Sequence, residues 1–321
     1  MSVIDSEGIH QISIPFFNFQ TNTYLLEGDP LTLIDTGPKV EEARTELSRA
    51  LEGIGYKISD IKSIILTHGH VDHFGMAKSI QDISDANVFV HKDDMNMVSN
   101  FGDYNKRISI FYEEVLFSSG IPSGIARSLI PPLSFTNRYL DYITVINALQ
   151  DQCVIAAGKF KFSVIHCPGH TPGSICLYSK ERKILFSGDH LLGKITPNIG
   201  IFPNKDQSGH LSLLSYLDSL RKIENLDVKV VLPGHGQLIF DLKNRVQSTI
   251  DHHKNRKEKI LHTLDEGPRT PYEITKTVFG EVSTYELFLA LIETLSHIKL
   301  LEYEGKVRSI KKKGLMFFTQ T

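Results

Sequence analysis

The chain has 321 residues, 41% of them hydrophobic and 22% charged, which is about two domains' worth of length with enough core material to exclude a disordered, collagen-like or membrane-embedded protein. A formal net charge of -2 excludes a global field that would gather nucleic acid or acidic lipid. The charge is uneven, however: residues 241–321 carry 14 basic and 11 acidic side chains, or +3, which leaves -5 for residues 1–240.

No apolar run approaches the roughly 18 residues that a spanning helix needs, so no membrane partner is expected. Met1 to His10 carries Asp5 and Glu7 and lacks the basic-then-apolar order of a secretory leader, so the expected compartment is the cytoplasm. Cys153, Cys167 and Cys176 are odd in number and form no Cys-x-x-Cys pair, as free thiols in a reducing compartment do.

Short apolar runs at His10–Ile14, Thr23–Leu26 and Leu31–Ile34 read as antiparallel strands. Val40, Ala43, Leu47 and Leu51 are spaced for a helix, Ile61–Leu66 for a buried strand, and a helix to about Ile83 leads to a strand at Val88–Val90. Layered α/β is the class this order predicts. Between Met95 and Leu149 the β signals fade and Ile108, Phe111, Val115 and Leu116 recur at helical spacing, so residues 95–150 read as a helical insertion. Its place in the chain suggests a lid, with Tyr104, Arg107, Phe111, Arg138, Tyr139 and Tyr142 as candidate wall residues.

Strand patterns return at Phe160–Ile165, Ile175–Tyr178, Ile184–Phe186 and Lys229–Leu232, with a helix near Leu211–Ile223. Helices at about Lys254–Leu264, Pro271–Val278 and Thr284–His297 then precede Leu300–Tyr303, Glu304-Gly305 and Val307–Ile310, which read as a small hairpin. The expected division is therefore a catalytic domain over residues 1–250 and a winged-helix-like module over 251–321.

Thr67-His68-Gly69-His70-Val71-Asp72-His73 packs three imidazoles and a carboxylate directly after a buried strand. One loop presents only part of a metal's ligand set, so further ligands belong at the ends of later strands. His170 stands there in Cys167-Pro168-Gly169-His170-Thr171-Pro172-Gly173, Asp189 in Ser187-Gly188-Asp189, and His235 in Pro233-Gly234-His235-Gly236. Each sits beside glycine, which permits tight turns.

These residues resemble the ordered motifs of metallo-β-lactamase-fold hydrolases, with all five matched between residues 10 and 240: Asp35, then His68, His70, Asp72 and His73, then His170, Asp189 and His235. The resemblance implies a four-layer αββα sandwich. It implies two divalent ions, one on His68, His70 and His170, the other on Asp72, His73 and His235, with Asp189 bridging them. Imidazole and carboxylate ligands suit Zn(II), while a mixed N/O site also holds Fe or Mn. Two such ions lower the pKa of a shared water and polarise a scissile carbonyl or phosphoryl oxygen, so Asp72 and Asp189 are catalytic through the metals.

Asp35 reads as an orienting partner of the metal-binding loop or as a turn-capping residue. His190, directly after Asp189, is a candidate to face substrate, whereas His91 and His166 read as structural and Cys167 is not needed as a ligand. Exported β-lactamases lack the aspartate at position 189, and flavodiiron proteins carry Glu where this chain has His70. The leading expectation is hydrolysis of a small thioester or ester of the acyl-CoA or hydroxyacylglutathione type. A lactonase, a single-strand RNA endonuclease gripping through Lys311, Lys312 and Lys313, and a metal-bound regulatory DNA-binding protein are the alternatives. Docking or homodimerisation is the other use expected of the C-terminal module.

Overall fold

The computed structural model describes residues 4, 7–129, 137–203 and 211–321. Strands β1 (Ile9–Phe16) and β2 (Phe19–Leu26) form a hairpin in register from Ile9–Leu26 to Phe16–Phe19. β3 (Thr32–Ile34) continues the sheet antiparallel to β2, and helix α1 (Glu41–Gly53) crosses over to β4 (Ser63–Ile65), parallel to β3. The four-residue helix α2 (Val71–Phe74) and then α3 (Ala77–Ser84) lead to β5 (Asn87–His91), parallel to β4. Helices α4 (Met95–Ser99), α5 (Phe101–Ser118) and α6 (Ser123–Leu129) precede β6 (Asn147–Leu149), which closes a six-stranded sheet ordered β1 to β6.

The second sheet runs β7 (Val154–Ala157), β8 (Phe160–His166), β9 (Ile175–Ser179) and β10 (Ile184–Gly188) as an antiparallel meander, and after α7 (Ser212–Glu224) adds β11 (Val230–Pro233) parallel to β10. The two sheets close on a shared core that includes Tyr24, Leu26, Ile34 and Ile65 from one and Phe162, Leu177, Phe186 and Leu232 from the other. Ala43, Leu47 and Leu51 of α1 and Ala77 and Ile80 of α3 cover the far face of the first sheet. Leu213, Tyr216 and Leu220 of α7, with Leu242 and Val246 of α8 (Leu242–His262), cover the far face of the second. Each sheet buries both faces, as the near-continuous burial of β9, β10 and β11 requires, and the result is the four-layer αββα sandwich.

Three sequence expectations are revised here. Leu300–Tyr303 is the last turn of α10 (Thr284–Tyr303), not a strand. Leu291, Leu295, Ile298 and Leu301 are buried at helical spacing, and the chain leaves the helix at Gly305 with φ 69°. The hairpin is instead β12 (Val307–Lys312) with β13 (Leu315–Gln320), turning at Lys313 and Gly314, both at positive φ. Residue 250, the expected domain boundary, lies inside α8, whose 21 residues run unbroken from a start where the Asp241 carboxylate accepts from Asn244 N at 3.0 Å.

The insertion is helical, and none of its described residues lines the cleft of the sandwich. Leu116, Ile121, Ala126 and Leu129 pack on Leu287, Leu291, Ile292 and Leu295 of α10, so its apolar side is spent on the C-terminal helices. Tyr139 stacks edge-on against Phe16 at 5.3 Å under the β1–β2 turn, and Tyr104 packs on the first core. Residues 130–136 of the insertion lie outside the described residues. With α9 (Pro271–Phe279), whose first turn carries a capping box between Thr270 and Glu273, α10 completes the C-terminal helices. Among the described residues no helix is long and apolar enough to cross a membrane.

Candidate metal centre

Each chemistry-bearing motif leaves the C-terminal end of a strand, so the two sheets present their loops at one edge of the sandwich. β4 delivers His68 and His70, and α2 turns Asp72 and His73 inward. The loop after β8 delivers His170, β10 ends at Gly188 before Asp189, and His235 follows β11. His68 Nε2 lies 3.1 Å from His70 Nδ1, and the ligand atoms of His68, His70 and His170 fall within 4.8 Å of one another, as do those of Asp72, His73 and His235. Asp189 stands between the groups, with Oδ2 3.5 Å from His170 Nε2 and 3.3 Å from His235 Nε2. Gly234 is required for this approach, because a Cβ there would sit 2.3 Å from Asp189 Oδ1.

The other nitrogen of four imidazoles is held from behind, as metal-ligating histidines require. Thr67 Oγ1 is 3.1 Å from His68 Nδ1, and Asp35 Oδ2 is 2.8 Å from His73 Nδ1. The carbonyl of Asn198 accepts from His170 Nδ1 at 2.9 Å, and that of Gln20 from His235 Nδ1 at 2.7 Å. Asp35 thus orients His73, and it also accepts from Thr67 N at 2.8 Å and Thr67 Oγ1 at 2.7 Å. Its φ of 56° is the left-handed conformation that aspartate tolerates at turns.

Burial pushes the pKa of His68 well below its ordinary value and that of His70 to about 3. Burial also opposes charge on His73 and His235, but at His73 the carboxylates of Asp189, Asp72 and Asp35 prevail, and at His235 those of Asp189 and Asp72. They hold His73 well above its ordinary value and His235 at about 10. His170 Nε2 and Asp189 Oδ1 are buried without a hydrogen-bond partner. Such orphaned atoms in a convergent N/O set fit divalent cations, which satisfy both lone pairs and carboxylate charge.

His190 departs from expectation. Its ring is 1% exposed, 5.1 Å from the ring of Tyr216, and lies outside the lining of the cleft over the metal residues. Burial lowers its pKa to about 3 against the pull of the Ser219 backbone, which lies nearby short of hydrogen-bond geometry. The position after Asp189 turns back into the core because Ser187 O accepts from His190 N at 2.9 Å, a tight turn that reverses the side-chain direction. His91 and His166 stack at 3.9 Å on the far side of the loop, where His166 Nε2 donates to Pro172 O at 2.8 Å.

Two residues escaped the sequence reading. Asp94, fully buried, ties the His68 loop to the His170 loop by accepting from Gly69 N, Thr171 Oγ1 and Gly173 N. Asn198 links His170 to the C-terminal helices, because its side-chain amide donates at 3.0 Å to the Leu289 carbonyl of α10. The position of Asp94, just past the end of β5, was the one available signal, since strand ends of this edge build the site; Asn198 gave none.

A cleft of about 1680 Å³ opens over Asp72, His170, Asp189 and His235. Its walls include Phe17 and Phe19 from the β1–β2 hairpin, Ile195, Phe240, and Phe279, Val282 and Leu289 from α9, α10 and the turn between them. No residue of the insertion lines it among the described residues, and neither Lys nor Arg does.

The metallo-beta-lactamase superfamily model matches residues 17–235. The probable metallo-hydrolase YqjP of Bacillus subtilis is 31% identical over 96% of both chains. An atrochrysone carboxyl ACP thioesterase of Aspergillus fumigatus is 25% identical, covering 82% of this chain and 69% of its own. Among solved structures, a metallo-beta-lactamase family protein from Thermus thermophilus superimposes with a TM-score of 0.86 at 26% identity, over 98% of this chain and 99% of that one. With a convergent His/Asp cluster at the loop edge of an αββα sandwich and relatives matched from end to end, the chain belongs to the metallo-beta-lactamase superfamily and is a metal-dependent hydrolase.

Proposed function

We propose that the protein hydrolyses a small, largely apolar ester or thioester, with His68, His70 and His170 holding one divalent ion, Asp72, His73 and His235 a second, and Asp189 shared between them. Zn(II) is the ion we favour, with Fe or Mn as the alternatives. When bound, two such ions lower the pKa of a shared water and polarise the scissile carbonyl. The chain's own part is to fix that geometry: Asp35, Asn198 and Gln20 lock imidazole orientation, and the carboxylates of Asp72 and Asp189 set the charge.

The observation that carries the substrate class is the cleft lining. Phe17, Phe19 and Phe240 are 67%, 42% and 64% exposed at its walls, apolar surface that an acyl group would cover. Phosphate recognition needs Lys or Arg, and among the described residues none lines the cleft. The exposed Lys311 and Lys312 at the end of β12 and Lys313 in the turn after it lie outside it as well, which disfavours an RNA grip. A relative named as a thioesterase supports the reaction type.

The test compares acyl thioesters of coenzyme A with those of uncharged N-acetylcysteamine, at matched acyl length. The expected result is a kcat/KM for the uncharged carrier at least equal to that for coenzyme A, because the phosphates find no cation. A strong preference for coenzyme A, or turnover confined to RNA, would overturn the cleft reading.

A further inference from the structure

Cys167, Cys176 and His190 form a second convergent donor set, beneath the metal centre and outside its cleft. Their ligand atoms lie within 4.8 Å of one another, and both sulfurs and the imidazole are buried. The sheet explains the sulfurs. Cys176 opposes Ile165 across β8 and β9, and Cys167 N donates to Ser174 O at 2.8 Å, so the two cysteines are diagonal neighbours on one face. His190 reaches the same place from the turn after β10. Neither of its ring nitrogens has a hydrogen-bond partner, and such a group enclosed in an apolar core costs free energy unless a ligand satisfies it.

We infer that Cys167, Cys176 and His190 bind a thiophilic d10 cation, Zn(II) by donor set, as a structural metal separate from the catalytic pair. Binding replaces the two thiol protons, which leave to solvent, and joins two thiolates and a neutral imidazole to a divalent ion. The resulting cluster is electrically neutral, the form that Leu185, Leu191, Leu213 and Tyr216 around it tolerate. Cys167 lies three residues before His170, and His190 directly follows Asp189. The ion would therefore brace from below the two segments that carry a ligand of each catalytic site, and it does so whatever substrate the enzyme takes.

Cobalt substitution tests this directly. The seven His and Asp residues of the catalytic site include no sulfur, so a sulfur-to-cobalt charge-transfer band reports only the buried set. Protein produced in cobalt-supplemented medium under reducing conditions should show that band and a third metal equivalent, retained when a chelator removes the other two. Cys153→Ser should keep the band, whereas Cys167→Ser, Cys176→Ser and His190→Asn should lose it together with one equivalent. Where a variant fails to fold, the wild-type thiol count decides: metal-protected thiols that become titratable only with denaturant and chelator together uphold the site. Absence of the band in folded wild-type protein, with Cys167 and Cys176 titrating as free thiols or found as a disulfide, overturns it.

Discussion

The buried carboxylate of Asp94 accepts a hydrogen bond from the Thr171 hydroxyl at 2.6 Å, across 77 residues of chain. The same carboxylate holds Gly69 N at 2.9 Å and Gly173 N at 2.7 Å, so one side chain clamps the loops of His68 and His170 together. Burial raises its pKa to about 6 despite these bonds. Asp94→Ala would strand three buried donors, at a cost of about 3 kcal/mol or more in stability, and should also weaken metal retention. Denaturant unfolding with parallel metal analysis checks both; an Asp94→Ala protein of unchanged midpoint would remove the clamp from this account.

Asp35 reaches one candidate ligand directly, His73 at Nδ1, and a second, His68, only through the Thr67 hydroxyl. Asp35→Asn preserves shape but presents an amide of either polarity to that nitrogen, which frees the imidazole's tautomer. The expectation is a loss of about 10–100-fold in metal affinity or activity, larger at the site of Asp72, His73 and His235 than at that of His68. Competition titration with a chromophoric chelator resolves the two sites, and equal weakening of both would argue against so local a role.

Asn198 provides the corresponding link on the other side. Its carbonyl holds His170 while its amide is fixed by Leu289 O of α10. Asn198→Asp is isosteric but cannot donate to that carbonyl, so it should lower kcat and shift the cobalt spectrum of the His170 site while leaving the melting temperature nearly unchanged. A variant with wild-type spectrum and turnover would show that the C-terminal helices wall the cleft without setting the metal ligand.

Much of the site is readable from sequence because each metal motif is local: a strand, then a glycine-flanked His or Asp. Asp94, Asn198 and Asp35's choice of His73 are not readable in this way, since each is a single polar residue whose partners are 77, 91 and 38 residues distant. In the fold, β6 and β7 passed unnoticed because Asn147–Leu149 and Val154–Ala157 are short and expose alternate or successive residues at the sheet edge. Leu300–Tyr303 misled because so short a stretch, with Leu300, Leu301 and Tyr303 around Glu302, has no period of its own, and only its continuity with Leu291, Leu295 and Ile298 marks it as helix. Among the described residues the insertion packs elsewhere than expected for a related reason: helical periodicity in residues 95–129 reveals an apolar face but not that α10 covers it.

The metal-free protein should be most stable near pH 6.5. Burial depresses the pKa of His70 and His190 to about 3, of His91 and His297 to about 4, and of His253 to about 2. The unfolded chain therefore takes up these protons first, and stability is lost as pH falls below about 6.5. Asp94, raised to about 6, works the opposite way but is one group against five. On the alkaline side, His235 is raised to about 10 by Asp189 and Asp72 against the effect of burial, so its contribution is present below about 6.5 and lost as pH rises toward 10. Melting temperature against pH should show both limbs without metal, and the alkaline limb should flatten when an ion replaces the proton on His235. An alkaline limb identical with and without metal would contradict that assignment.

The central claim, a metal-dependent hydrolase of small esters or thioesters built on a site bridged by Asp189, is tested most directly by turnover before and after metal removal. Chelator-treated protein should be inactive on an acyl thioester and regain activity as divalent ions are restored, while Asp189→Ala should remain slower by orders of magnitude at every metal concentration. Salt should have little effect on the reaction, because no phosphate contacts release counterions. Metal-dependent RNA cleavage that falls steeply with salt and with neutralisation of Lys311, Lys312 and Lys313, combined with silence on every ester and thioester, would contradict the account.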